Sequence, residues 1–548
     1  MRGSAMRRSA MKKYVCGIVA FALALALGAC GGSGGKGASN APVANGSSKS
    51  YPELRWGFTT FPGALDITRN VWNQIASIEG LVVTNLMEFG PGGKVQPGLA
   101  SSTEQPNPTT YVYHLRSMKF SDGKPVTAAD VVFSLDRNIT AKESWTKAYW
   151  EDATSISAPN SSTVVIKLKR PDAIFQDVVA FTSQVIEKSS AEKIGEKALG
   201  MPGHMVIGAG PWKLVGYQPE ASVELARNPY WTGAPQPAEK ITIDLFKTEA
   251  SMALALRSGA IDGVFDYLTP KIFTSIPGVR PLKAPGTTVN YLSFNTDAPP
   301  LNNVHVRRAI AYATDAKGII NALFSGGLAT VDPTIMPVDL FEAIGSKSEV
   351  SSLVGSLSTY EFNLEKAKQE LAKSPYPHGF STTIQVGQVY ASLVSAAEIL
   401  SSDLAKIGVT ANVDEMTPAV AEALEASGKS KLLMDEIYSV YPDPEGIMSS
   451  LIAPGQIHPP GSGLNAANFR NAEVDKLLPE SVETLDKTKR VQLIGKLLKV
   501  VNEEAPYRPI YTHATFAALS EKYVLSSASF NGWTLLWGPW ALGVKLAS

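Results

Sequence analysis

Few residues of this 548-residue chain have types and spacing that could support chemistry. Its six histidines, His114, His204, His305, His378, His458 and His513, stand singly. There is no His-Glu-x-x-His pair and no cysteine pair, so the spacing of a zinc centre is missing. Gly428-Lys429-Ser430 resembles the end of a phosphate loop, but Ala423 occupies the leading glycine position. The runs GPGG (90–93) and GAGPW (208–212) read as turns without the strand and helix of a dinucleotide site. Adjacent acids such as Glu503-Glu504 fit exposed helix ends better than an acid–base dyad. No catalytic residue, metal or cofactor is expected. Two tryptophan clusters remain, Trp145 with Trp150, and Trp533, Trp537 and Trp540. They read either as core packing or as the walls of an aromatic pocket. The loop DEIYSVYPDPEG (435–446) is stiff, aromatic and acid-flanked, with Asp443 between two prolines suited to brace its own backbone.

The elements that must position these residues alternate between strand and helix. YVYHLR (111–116) places Tyr111, Tyr113 and Leu115 on one face of a half-buried strand and His114 on the other. After an Asp122-Gly123 turn, Thr127 and Asp130 form a capping box for a helix that buries Val131, Val132 and Leu135. Strands are expected at 162–168 and 290–296, and 223–231 reads as a strand leading into a proline-set turn. Three helices are expected thereafter. One starts near Asn303 and runs through Ala313. A second is capped by Asp315, buries Ile319, Ile320 and Leu323, and stops at Gly326. A third spans 393–407, ends at Gly408, and is followed by a strand. This pattern predicts an α/β or α+β protein with mixed sheets, and the length predicts more than one lobe.

The N-terminus reads as a processing segment. Arg2, Arg7, Arg8, Lys12 and Lys13 precede an apolar run, 15–29, too short for the roughly 20 residues of a spanning helix. It ends in LGAC, which resembles a lipobox with Cys30 as the acylated residue; a plain secretory signal is the alternative. Residues 1–29 are thus expected to be a signal peptide, and 30–50 an acylated cysteine and Gly/Ser tether reaching about 25 Å. With Cys16 in the leader, Cys30 has no disulfide partner. Five of the 50 Lys and Arg also lie in the leader, against 50 Asp and Glu in the chain, so the remainder is net acidic. That argues against a nucleic-acid or anionic-lipid partner.

Four ordered blocks carry a resemblance. YVYHLRSMKFSDGKPVTAADVVFSLDRN (111–138), GAGPWKLVGYQPEASVELARNPYWTG (208–233), NYLSFNTDAPPLNNVHVRRAIAYATDAKGIINALFSGG (290–327) and YPDPEGIMSSLI (441–452) resemble the family 5 extracellular solute-binding proteins, receptors of peptide, nickel and opine-type ABC importers. The resemblance implies an α/β, two-lobed type II periplasmic-binding-protein fold of the larger class, with an extra domain. Lobe I would comprise 51–84, 206–286 and 516–548, the extra domain 85–205 and lobe II 287–515, with hinges near 286–290 and 515. It also implies a monomeric receptor, lipid-anchored on the extracytoplasmic face of the cell membrane, that closes on a solute and delivers it to permease subunits. A signal-sensing binding protein and an exported hydrolase with an unrecognised carboxylate site are the alternatives.

By the same resemblance, ligand contacts would fall at Thr60, Phe61, Trp145, Tyr149, Tyr390, Tyr438, Val440 and Tyr441; each aromatic among them could equally serve packing. Peptide-binding members place an aspartate three residues before the Asp-Pro aspartate, where it pairs with the peptide's α-ammonium. Here that position is Val440, and the preceding tryptophan position is Ile437. A charge-assisted bond of about 1.5–3 kcal/mol is thereby lost. This favours a sugar, a chelate or a modified peptide over a peptide with a free N-terminus; Asp435, Glu436 or Glu445 could restore amine binding in another register.

Overall fold

The computed structural model of the protein describes residues 46–548, apart from 62, 71, 267, 325–326, 389–390, 457–463 and 527–528. Cys30 and Tyr390, both singled out in the sequence, lie outside the described residues, as does Gly326.

Two mixed sheets form the frame. The first has seven strands and is built around Tyr51–Thr59, which pairs in parallel with Ala238–Phe246 and with Gly263–Asp266. Its core face buries Leu54, Trp56 and Phe58 completely or nearly so. Trp56 packs on Trp540 at 4.8 Å and on Phe265 at 5.6 Å between ring centroids. The second sheet has six strands, with Thr288–Phe294 between Tyr507–His513 and Leu432–Tyr438. Its parallel members, Ser381–Gly387, Thr410–Met416 and Leu432–Tyr438, are linked by the helices Ala391–Ala405 and Pro418–Ala426. A separate four-stranded antiparallel sheet, within 100–168, carries the strand Thr110–Leu115.

Local chemistry explains most element ends. The helix Ala128–Thr140 opens with the Asp130 carboxylate accepting the Thr127 N–H at 2.9 Å. Asn303 accepts from the N–H groups of His305 and Val306 to start Val304–Ala313, and Asp315 accepts from Gly318 to start Ala316–Leu323. That last helix stops at Leu323, earlier than the glycine signal suggests, because Phe324 turns extended; Ile319 is buried, while Ile320 and Leu323 are only partly so. The long helix Ala391–Ala405 sits slightly earlier than 393–407, and its chain turns at Gly408 in a left-handed conformation. His114 makes the cross-strand contact open to it, with Glu104 at 3.1 Å.

The two large sheets are joined at two crossings that lie side by side. Only 285–287 separate the strand Val279–Ala284 of the first from Thr288–Phe294 of the second. Only Ala514 separates Tyr507–His513 from Thr515–Ser520 on the return. Ala284 is paired with Thr515, and the Thr515 hydroxyl donates to the Pro285 carbonyl at 3.1 Å. The chains run so close that a Cβ on Gly286 would collide with the His513 carbonyl. Such short paired crossings are where a hinge can absorb a change in backbone angle.

Candidate functional site

Beside these crossings lies a cavity with about 500 Å³ of empty space, its open mouth included. Thr287, Thr288, His513, Ala514 and Thr515 line it from the crossings, and Asn73, Gln74 and Ser77 from the helix Asn73–Glu79. Leu535 and Leu536 of the helix Gly532–Trp537 close it. The hydroxyl of Thr288 and the side-chain oxygen of Asn73 are buried there with no hydrogen-bond partner among the described residues. Most buried polar groups in folded proteins find one.

A short way along the chain, the loop after Leu432–Tyr438 enters an aromatic seam. Tyr441 packs against Phe181 at 5.5 Å and Tyr149 at 6.3 Å. Trp145 packs on Trp537 at 6.4 Å, and Phe181 contacts both tryptophans. Three stretches of chain remote in sequence therefore meet through their rings. Val440 is only 7% exposed, and its carbonyl accepts the Trp537 indole N–H at 2.9 Å. The Trp145 indole donates to the Ile67 carbonyl at 2.5 Å. Both tryptophan clusters pack in the interior, with Trp150 and Trp540 fully buried.

The other residues named from the sequence are dispersed. Phe61 is buried and stacked on Tyr217 at 6.1 Å, and the half-buried Thr60 bonds through its N–H to Phe246. Tyr438 is half-buried and lies directly across from Thr288. The cavity is lined by none of Thr60, Phe61, Trp145, Tyr149, Tyr438, Val440 or Tyr441.

Asp443 does brace its own loop, accepting the Glu445 N–H at 3.0 Å. It also does something no local pattern announces. Its carboxylate is held bidentately by Arg490, 2.7 Å from Nη2 to Oδ1, with both side chains about 95% buried. Around this pair gather more acids than one arginine balances. Burial pushes Glu445 up to about 8, with Asp443 adding to the rise, although the Tyr441 hydroxyl donates to it. Asp177, in the helix Phe175–Thr182, is pushed to about 8 by burial and by Asp443; Asp172 is pushed to about 6 by burial. The Ala173 N–H bonds the Val482 carbonyl at 2.8 Å, and Arg170 approaches Glu483 at 3.6 Å. The seam is thus aromatic at one end and carboxyl-rich at the other. Among the described residues no group of three or more ligating side chains could hold a metal, and no helix is long and apolar enough to cross a membrane.

Two mixed sheets joined by paired crossings, with a cavity at the joint, are the architecture of a two-lobed binding protein. The chain belongs to the bacterial extracellular solute-binding proteins, family 5, whose middle-region model matches residues 94–458. It is similar to heme-binding protein A of Haemophilus influenzae, 28% identical over 488 residues, covering 82% of this chain and 85% of the relative. It is also similar to the oligopeptide-binding protein OppA of Bacillus subtilis, 25% identical over 486 residues, covering 79% and 83%. Among solved structures, the ABC transporter substrate-binding protein CtaP of Listeria monocytogenes matches with a TM-score of 0.79 at 22% identity, over 91% of this chain and all of that one. The ABC transporter-associated binding protein DppA of Helicobacter pylori, in complex with the peptide STSA, matches with a TM-score of 0.75 at 21% identity, over 90% and 98%. The fold is the type II periplasmic-binding-protein fold, and family and neighbours are binding proteins rather than enzymes.

Proposed function

We propose that this protein is a monomeric, lipid-anchored receptor on the extracytoplasmic face of the membrane, tethered through Cys30. It captures an oligopeptide-sized solute by lobe closure and delivers it to the permease of an ABC importer. Lobe I is assigned to 51–84, 206–286 and 516–548, the extra domain to 85–205, and lobe II to 287–515. The paired crossings act as the hinge. The solute lacks a free peptide N-terminus at the Val440 position: a sugar, a chelate or a modified peptide fits there better. The observation that carries this reading is the enclosure of Val440, whose apolar side chain is buried and whose carbonyl is already bonded by Trp537. An α-ammonium placed against it would be desolvated without a counter-charge.

Native mass spectrometry of the purified protein, followed by denaturation and identification of the released solute, tests the reading. A bound sugar, chelate or blocked peptide, returned with its mass unchanged, is expected. A bound peptide with an unmodified N-terminus seated at Val440 would overturn the ligand assignment, and a chemically altered solute would overturn the receptor assignment.

A further inference from the structure

The hinge end of the six-stranded sheet holds a carboxylate for which the aromatic seam and its arginine supply no balance. In the register of that sheet, Glu436 stands directly across from Asn290, which is itself across from Tyr511; Tyr438 stands across from Thr288. Cross-strand partners share a face, and so do residues two apart along a strand. Glu436, Tyr438, Thr288, Asn290, Tyr511 and His513 therefore occupy one face. One row further in, Leu292 and Met434 of that face are fully buried in the lobe core. The face thus passes from core to cavity, and its polar members sit at the cavity end, where Thr288 and His513 form part of the lining.

Two independent features there ask for the same partner. The first is charge. The Glu436 side chain is 16% exposed, and among the described residues the one basic group within ion-pair range is His513, Nε2 to Oε2 at 4.0 Å. Burial lowers the His513 pKa, so the ring does not supply a full counter-charge. Burial, reinforced by Asp435, pushes Glu436 up to about 8. A carboxylate left without a cation in such a place is costly unless something else provides one. The second is hydrogen bonding. Thr288 is 1% exposed, lines the cavity, and its hydroxyl has no partner among the described residues; the side-chain oxygen of Asn73, another residue of the lining, is in the same condition. The Thr288 hydroxyl and Asn73 belong to the lining of one space, and the Glu436 carboxylate stands beside it, 4.0 Å from His513 of the same lining. An ammonium brings three donors and a guanidinium five, each with a positive charge, whereas an anionic group would be repelled by Glu436.

We propose that this end of the cleft is a subsite for a cationic group of the solute, an ammonium or a guanidinium, with Glu436 as counter-ion and Thr288 as its hydrogen-bond partner. The inference rests on the solute-receptor reading and sharpens it. The solute carries its positive charge at the hinge, away from Val440, on a basic side chain or an amine terminus that is not a peptide α-ammonium at the loop.

The test uses n-butylammonium chloride as probe, n-butanol as its neutral counterpart and sodium chloride as the ionic control, with calorimetry on the full-length protein. The wild type is expected to bind butylammonium and not butanol. Glu436→Gln should weaken that binding about tenfold or more, the factor that loss of a charge-assisted bond implies. Thr288→Val, which keeps the side-chain shape, should weaken it several-fold and provides the readout if Glu436→Gln does not fold. Equal butylammonium affinity in the variants and the wild type, or no discrimination between butylammonium and butanol, overturns the subsite. A parallel panel of N-acetylated tetrapeptides, with lysine or norleucine in turn at each position, separates this from the receptor reading. Solutes bound without preference for lysine, unchanged in Glu436→Gln, would remove the subsite and keep the receptor. Butylammonium discrimination in a protein that binds no peptide, sugar or chelate would keep the subsite and remove the receptor.

Discussion

Replacing Val440 by aspartate restores the residue type that peptide-binding relatives are expected to use, in a setting that punishes it. The position is 7% exposed, in a loop that already buries Asp443 and Glu445. Its backbone is tied to Trp537 through the carbonyl, so the new side chain cannot easily swing toward water. A buried carboxylate without a partner costs about 3–5 kcal/mol. In Val440→Asp that penalty should appear in urea unfolding at pH 7.5 and shrink as the pH falls, because protonation removes the charge. Val440→Asn, polar but neutral, should cost less, about 1–3 kcal/mol for an unsatisfied buried group. Tri-alanine supplies an α-ammonium; at 100 times its dissociation constant a ligand returns about 2.7 kcal/mol. Tri-alanine should therefore stabilise Val440→Asp and leave the wild type unmoved, and its N-acetylated form should stabilise neither. If Val440→Asp unfolds within about 0.5 kcal/mol of the wild type, below the cost of a buried charge, and treats both peptides alike, the enclosure argument is wrong.

Arg490→Met leaves Asp443 buried without its partner and should lower stability by about 3–5 kcal/mol in urea unfolding. In the double variant with Asp443→Asn the loss should fall well short of the sum of the two single losses. Asp172, Asp177 and Glu445 hold their protons more tightly folded than unfolded, with folded values of about 6, 8 and 8. The stability they lend is therefore complete below the ordinary carboxylate range of about 4 and is lost as pH rises through 6 to 8. Asp177→Asn should flatten that fall in urea midpoints measured from pH 5 to 9. Trp537→Phe keeps an aromatic ring but strands the Val440 carbonyl, for a loss of about 1–3 kcal/mol by the same assay. Gly286→Ala should force the paired crossings apart at a cost of about 1–3 kcal/mol, visible as a changed radius of gyration in solution scattering and a weaker response to solute.

What could be read in the sequence was what adjacent residues decide. The Thr127 and Asp130 cap, the Asn303 and Asp315 caps, the turn at Gly408 and the alternation around Tyr111 and Tyr113 each involve residues within a few positions of one another, and each is present. The helix after Asp315 ends before its glycine signal because glycine is a permissive residue and not a stop; Phe324 leaves the helix first. Arg490 could not be found from the loop it serves, since 47 residues separate it from Asp443 and nothing in LDKTKRVQL marks one arginine as buried. The same holds for Glu436 and His513, which meet only because the strand order of the second sheet sets Thr288–Phe294 between their strands. The tryptophans were ambiguous because a ring suits a pocket wall and a core equally, and only the partners each indole finds decide between them.

The strand Thr515–Ser520 lies inside the seven-stranded sheet, between Val279–Ala284 and Gly263–Asp266, although the chain completes the whole six-stranded sheet before reaching it. As the chain is made, N-terminus first, the early strands Tyr51–Thr59, Ala238–Phe246 and Gly263–Asp266 wait with an open edge while residues 288–513 emerge and fold. The second sheet, made from contiguous chain, can close on its own schedule. An unpaired edge invites association with other chains. The interval between the appearance of Asp266 and that of Thr515 is therefore when this sheet is open to association with other chains, and when a chaperone would have most to protect.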